Sequence, residues 1–229
     1  MYDALAAACD EVDADGNIRV FVVRAAGEAF AAGTDIRQFT GFASGADGIA
    51  YERRLDAVID RLEAVTVATI AQVQGVAAGG GCAIALACDL RVCTPAAKFG
   101  VPIARTLGNC LSPANYARIV DLVGPARTKD LLFTGRLLDA IEADSLGLVT
   151  RMAEPQEIDG AVRALAETIA ANAPLTIRAT KEAIRRVALH RRIDTGEADD
   201  LIAACYASED FREGVAAFLA KRKPGFTGK

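Results

Sequence analysis

At 229 residues the chain is long enough for one large α/β domain with a small helical appendage, and its 52% hydrophobic and 24% charged residues are globular values. Its net charge of −4, with no Lys/Arg block, argues against nucleic-acid binding. One histidine and six cysteines without a C-x-x-C pair argue against a metal site and against Cys-His or Ser-His-Asp chemistry.

In chain order, residues 1–13 (MYDALAAACDEVD) place Leu5, Ala8, Cys9 and Val12 on one helical face. Residues 18–24 (IRVFVVR) are a β-branched run suited to a buried strand. A loop of small residues, GEAFAAGTD, leads to a helical turn from Asp35. The pattern predicts an amphipathic helix over 51–65 and a second strand over 66–74 (TVATIAQVQ). A short helix then runs from the glycines to Cys88, with a third strand over 90–93. Residues 98–111 read as loop. From Ser112 the pattern is helical, with segments near 112–123, 125–133, 139–146, 157–171, 175–189, 195–206 and 208–221, separated by Gly, Pro and Asn. Strands alternating with helices early, and helices accumulating late, predict an α/β core over 1–172 and a helical region over 173–229. The basic stretch 185–192 (RRVALHRR), which carries His190, reads as a solvated helix face. No signal peptide is read, and the apolar run 75–88 is too short and glycine-rich to span a bilayer. The thiols read as free and buried, and the chain as a cytoplasmic protein with no membrane association.

The stretch VQGVAAGGGCAIALACDL (73–90) carries the chemistry. Where a strand feeds a helix, the first backbone N–H groups have no intrahelical acceptor and sit at the positive end of the helix dipole. Glycine there lets another group approach the backbone. The sequence fits neither a P-loop, since Cys82 and Ala83 follow Gly81, nor the G-x-G-x-x-G dinucleotide fingerprint. Two readings stay open on these residues alone. The glycines serve close helix–strand packing. Or they pair with the similarly built loop Ala29-Phe30-Ala31-Ala32-Gly33-Thr34-Asp35, each loop offering one N–H to a shared oxygen. Such an oxyanion hole is worth roughly 3–4 kcal/mol per donor once charge develops on that oxygen.

The segments AFAAGTDI, QGVAAGGGCAIALACDLRV, KFGVP, RIVDLVGPARTKDLLFTGRLLDAIEADSLGLV and FLAKRKPGFTGK resemble, in order and spacing, those of the crotonase superfamily, the enoyl-CoA hydratase/isomerase family. The resemblance covers essentially the whole chain. It implies a spiral of ββα turns with a helical C-terminal region that trimerises, often into a dimer of trimers. It implies acyl-CoA thioester substrates, with coenzyme A as part of the substrate and no separate bound cofactor. It puts the oxyanion hole on the backbone N–H groups of Thr34 and Gly80, with Ala32 beside the substrate. Arg37 matches a position that is often basic and near the CoA phosphates, and Phe218 and Lys221 match positions that reach CoA, in many members from a neighbouring subunit.

The departures fall on the proton-transfer residues. Hydratases of the family share one water between two glutamates, the second of which isomerases keep; the matching positions here are Ala83 and Ile103. The segment that follows, ARTLGNCLSPANYARI, brings Asn109 and Cys110 into the pocket region, and no Asp or Glu lies between Ala96 and Val120. Cys110 reads either as a thiolate, activated near Ser112 and Arg105, or as a buried structural thiol. The family's N-terminal β-hairpin, with its N-R-P…N-A-L motif, has no counterpart before the first helix. The expectation is an acyl-CoA lyase or isomerase of the fatty-acid-metabolism type that stabilises a thioester enolate without the usual glutamate pair. The alternative is a catalytically degenerate acyl-CoA-binding protein or subunit; an NAD(P)-binding domain is the weakest reading.

Overall fold

A computed structural model describes residues 1–191 and 196–229. The expected helix start at Thr195 and the end of the basic stretch at Arg192 lie outside the described residues.

Helix α1 (Tyr2–Ala14) buries Cys9 and Val12, the apolar face read from the sequence. Strand β1 (Val20–Arg24) leads into the small-residue loop and a 3-10 helix, Ile36–Gly41, whose Asp35 cap accepts from the Arg37 N–H. Helix α2 (Gly45–Glu63) starts six residues before the expected position 51, and the reason is its seat for a later helix. A methyl group on Gly45 would lie 2.6 Å from the Ala203 Cα, and one on Gly48 would lie 2.2 Å from the Tyr206 ring. Glycine, a poor helix former, is required there by close packing.

Next come β2 (Ala68–Val73), β3 (Val76–Ala78), α3 (Gly80–Ala87), β4 (Leu90–Cys93) and β5 (Lys98–Gly100). The span 98–111, expected as loop, thus holds β5 and a single turn, α4 (Ile103–Thr106). The two helices expected over 112–133 are present and meet at Gly124, whose φ 76° and ψ 163° are not helical; together they are labelled α5 (Pro113–Thr134). The remainder is β6 (Leu138–Asp139), α6 (Ala140–Ser145), β7 (Arg151–Met152), α7 (Ile158–Ala170), α8 (Pro174–Leu189), α9 (Asp199–Ala207) and α10 (Glu209–Leu219).

The strands form two sheets. One is wholly parallel, in the order β1-β2-β4-β7; the other has the order β3-β5-β6, with β6 antiparallel. The chain visits them alternately. After β1, Ala31 bridges to Ala77 of β3; β2 is followed by β3 and then α3; β4 is followed by β5 and then α4 and α5. This is the ββα winding expected. Every residue of β2 is buried, and its two polar residues are paired, Thr69 with Asp89 (2.9 Å) and Gln72 with Asp159 (2.7 Å). Ile70 and Val92 pack on Ile158, Val162 and Leu165 of α7, while Ala71, Val73 and Cys93 join the main core with α3. Arg91, 6% exposed, gives its guanidinium to the carbonyls of Cys88 (2.6 Å), Ala85 (3.3 Å) and Leu148 (2.5 Å), a buried cation at the C-terminal end of α3. No described helix is long and apolar enough to cross a membrane.

The loop after β1 rests on the start of α3. A Cβ on Gly81 would lie 2.2 Å from the Ala31 carbonyl oxygen, a backbone atom that cannot swing away, whereas one on Gly16 would meet nothing within 4 Å. Gly81→Ala is therefore expected to lower stability by about 2 kcal/mol through overpacking. Gly16→Ala is expected to be near neutral. Urea unfolding of the two variants checks the contrast.

Candidate active site

Two loops meet at the mouth of α3. The Ala31 N–H donates to the Val76 carbonyl (3.0 Å) and the Ala78 N–H to the Ala31 carbonyl (2.9 Å), so the first loop runs as an added strand beside β3. Each loop then turns through a left-handed glycine, Gly33 at φ 113° and Gly79 at φ 54°. The Gly79 N–H donates to the Gly100 carbonyl (3.0 Å), which aims α3 from β5 as well. Among the described residues, no protein acceptor takes the N–H of Thr34 or of Gly80. A methyl group on Gly80 would lie 3.5 Å from the Thr34 Oγ1 and 1.9 Å from the Tyr2 hydroxyl. Both free N–H groups line one cavity of about 120 Å³.

Ala32, Ile103, Asn109 and Phe218 line that cavity too. Six of the residues singled out in the sequence thus share one space, although they come from four separate stretches. Ala83 does not reach it; its methyl faces a smaller apolar cavity of about 20 Å³ that borders on Gly79 and Gly80. Arg37 and Lys221 lie outside, both exposed, and Arg37 is held by Asp35 at 2.7 Å. Cys110 faces a different cavity, with Pro113, Tyr116 and Leu201. Its thiol lies 3.8 Å from the Leu201 carbonyl, and the neighbouring Cys205 thiol together with burial pushes its pKa up, away from thiolate character.

The cavity wall also holds Tyr51 and Glu52, which sequence reasoning missed, with further polar groups behind them. Hydroxyls form a chain from Tyr2 to Thr34 Oγ1 (2.8 Å) and from Thr34 to Tyr51 (2.6 Å). Glu52, 1% exposed, accepts from the Tyr206 hydroxyl (2.6 Å) and the Ser112 N–H (3.1 Å). Asn109 Nδ2 donates to the Tyr206 oxygen (3.0 Å), and Asn109 Oδ1 is buried without a partner among the described residues. Burial pushes the Glu52 carboxyl up to about 7; Asp56 one turn on adds to that, while the bonds from Tyr206 and Ser112 oppose it. A sequence signal existed. Glu52 stands on the buried stripe of α2 with Leu55, Ile59 and Leu62, where a carboxylate is out of place.

Comparison with known proteins bears on the family and the fold. The family model described as enoyl-CoA hydratase/isomerase matches residues 1–229. A probable enoyl-CoA hydratase of Mycobacterium bovis is 36% identical over 229 residues, covering 99% of this chain and 87% of the relative. Among solved structures, an enoyl-CoA hydratase/carnithine racemase from Magnetospirillum magneticum is 36% identical with a TM-score of 0.78, covering 100% of this chain and 86% of that one. A methylmalonyl-CoA decarboxylase in complex with 2-nitronate-propionyl-CoA is 26% identical with a TM-score of 0.90, covering 100% and 88%.

The raised Glu52 pKa has a measurable consequence for stability. The folded state holds a proton that the unfolded chain, with a pKa near 4.5, has released, so stability falls as pH rises from 4.5 through about 7. At roughly 1.4 kcal/mol per unit the loss is about 3 kcal/mol. Glu52→Gln lacks this dependence and is expected to gain on the wild type across that window, by urea unfolding on either side of it.

Proposed function

The chain belongs to the enoyl-CoA hydratase/isomerase family, and from that premise we propose that it is an acyl-CoA enzyme that forms and protonates a thioester enolate, holding the enolate oxygen on the backbone N–H groups of Thr34 and Gly80. The observation that carries this reading is the pair of N–H groups without a protein acceptor, on two loops that touch, at the wall of one apolar cavity. A thioester oxygen there is polarised as charge moves onto it, and the two donors favour the charged state over the neutral one. The positive end of α3 acts in the same sense.

Hydration is disfavoured. With Ala83 and Ile103 at the positions of the family's two glutamates, nothing there holds and deprotonates a water. The chemistry left is proton transfer next to the thioester, as in isomerisation. A second reading is decarboxylation of an α-carboxyl thioester, favoured by the TM-score of 0.90 with the decarboxylase. Loss of carbon dioxide leaves the same enolate without any base. In both readings Ala32 lies against the acyl thioester, Phe218 at the cavity wall contacts the CoA arm, and Arg37 and Lys221 meet its phosphates. No metal or further cofactor enters either.

Assembly of three or six copies is part of the same proposal. Helix α8 buries no residue and leaves Leu175, Ile184, Val187 and Leu189 exposed, an apolar set too large for a helix that stays in water. Sedimentation is expected to give a multiple of the 24.0 kDa chain, and Ile184→Glu with Val187→Glu to give single chains.

Incubation with a 2-enoyl-CoA in water labelled with both deuterium and heavy oxygen tests the reaction class. Deuterium on carbon without added oxygen is expected, and Gly80→Val is expected to abolish it. Heavy oxygen in the product contradicts the exclusion of hydration. Carbon dioxide released from methylmalonyl-CoA selects the decarboxylase reading, and tight acyl-CoA binding with no turnover on any thioester selects a binding protein.

A further inference from the structure

Enolate chemistry needs a group that moves a proton at carbon, and the two segments that supply it elsewhere in the family carry alanine and isoleucine here. The fold brings one carboxylate to the site by another route. Among the described residues, Glu52 is the only Asp or Glu on the wall of the cavity that contains the Thr34 and Gly80 N–H groups. It arrives from α2, directly after Tyr51, whose hydroxyl is bonded to Thr34 Oγ1.

We propose that Glu52 is the proton-transferring group of this site, with Tyr206 as the residue that positions it. The proposal rests on the reading of Thr34 and Gly80 as the enolate-holding pair. Three features of the structure carry it. A carboxylate offers about four acceptor positions, and the protein fills two of them, with the Tyr206 hydroxyl on Oε1 and the Ser112 N–H on Oε2. Each oxygen therefore keeps acceptor capacity while the side chain is fixed in one pose. The walls around it, among them Leu55, Val101, Ile103 and Leu111, are mostly apolar, and among the described residues no cation shares the cavity wall. A carboxylate needed only to anchor the start of α5 gains nothing from such a setting, since Ser112 Oγ and Asn115 already bond to Asp56.

In the forward step, the Glu52 carboxylate takes the α-proton of the bound thioester. The C–H electron pair becomes the bond between the α-carbon and the thioester carbon, and the carbonyl π pair moves to the oxygen held at Thr34 and Gly80. In the return step the carboxylic acid gives a proton to the α-carbon, or to the γ-carbon when the thioester carries a β,γ double bond, and the carbonyl re-forms; from a 2-enoyl thioester the same dienolate forms by loss of a γ-proton. Nothing is oxidised or reduced. The net result is isotope exchange or a shifted double bond. After decarboxylation the return step alone applies.

The raised pKa supports this assignment, because a group with a value near neutral is available both as base and as acid. The ionisable groups that share its field are Asp56 and Tyr51 on its own helix, Tyr2 on α1, Cys110 and Tyr116 at and after the turn before α5, and Tyr206 on α9. Tyr51, Tyr2, Cys110, Tyr116 and Tyr206 titrate above the relevant range, their pKa values raised by burial or by neighbouring groups. The bond from Tyr206 lowers the Glu52 pKa, so its removal raises it.

The test is α-proton exchange of butyryl-CoA in deuterated water, followed by mass spectrometry, with butyryl-CoA affinity measured separately on each variant. Wild-type exchange is expected to rise with pH and level off above about 7. Glu52→Gln keeps the acceptor for Ser112 and is expected to bind butyryl-CoA as before while exchanging about 100-fold more slowly. Tyr206→Phe is expected to retain exchange with the midpoint moved to higher pH, a shift that a merely structural tyrosine would not cause. Exchange by Glu52→Gln at the wild-type rate overturns the assignment alone, provided Gly80→Val is inactive. A wild-type rate that is flat from about pH 5 to pH 9 overturns it as well, whatever the variants do. If the wild type binds no acyl-CoA, the oxyanion reading fails first and the role of Glu52 falls with it.

Discussion

One parallel bridge, between Ala31 and Ala77, carries the geometry of the site. It ties the loop after β1 to the edge of the second sheet, and the same Ala31 carbonyl then lies over Gly81 at a spacing no Cβ would tolerate. That contact fixes two strand-to-helix turns against each other. Gly33 and Gly79 let the backbone turn there without strain, and the N–H groups of Thr34 and Gly80 are left at one cavity wall. The bridge belongs to the sheet, so the two donors inherit the stiffness of the core, as preorganised stabilisation requires.

The C-terminal helices are more than an appendage to this core. Gly45 and Gly48 make room on α2 for α9, and with α9 comes Tyr206, 2% exposed, which bonds Glu52 and receives Asn109. Phe39, Phe42, Tyr51 and Phe211 close around Tyr206 in an aromatic cluster, so the hydroxyl is held by packing as well as by hydrogen bonds. Phe218 of α10 completes the cavity wall from the same region. A site that looks emptied of acids along the chain is supplied with one across it. The apolar surroundings raise the proton affinity of that one carboxyl toward neutrality.

The strands β2 and β4 and helix α3 were legible because their residues are buried on several sides and their boundaries carry glycine or charge; β1 was legible from its β-branched run, although as an edge strand it is half-buried and not buried as expected. Strands β3, β5, β6 and β7 were not, since two or three residues cannot display an alternation. The start of α2 was hidden by the glycines that seat α9, where tertiary contact overrides propensity. In the site, Ala32, Thr34, Gly80, Ile103, Asn109 and Phe218 were found from local motifs and do share a cavity. Glu52 was not, because its partners Ser112 and Tyr206 lie 60 and 154 residues away. Cys110 was placed in the pocket by proximity in sequence to Asn109, but the chain turns there and its side chain faces the other way.

The most direct measurement is the infrared spectrum of an acyl-CoA carrying a carbon-13 thioester carbonyl, free and bound to the protein. Two backbone donors on that oxygen weaken the carbonyl bond, so its band is expected to move to lower wavenumber on binding, and to return toward the free position in Gly80→Val. A bound carbonyl whose band stays at its aqueous position would contradict the claim that Thr34 and Gly80 hold the reacting oxygen.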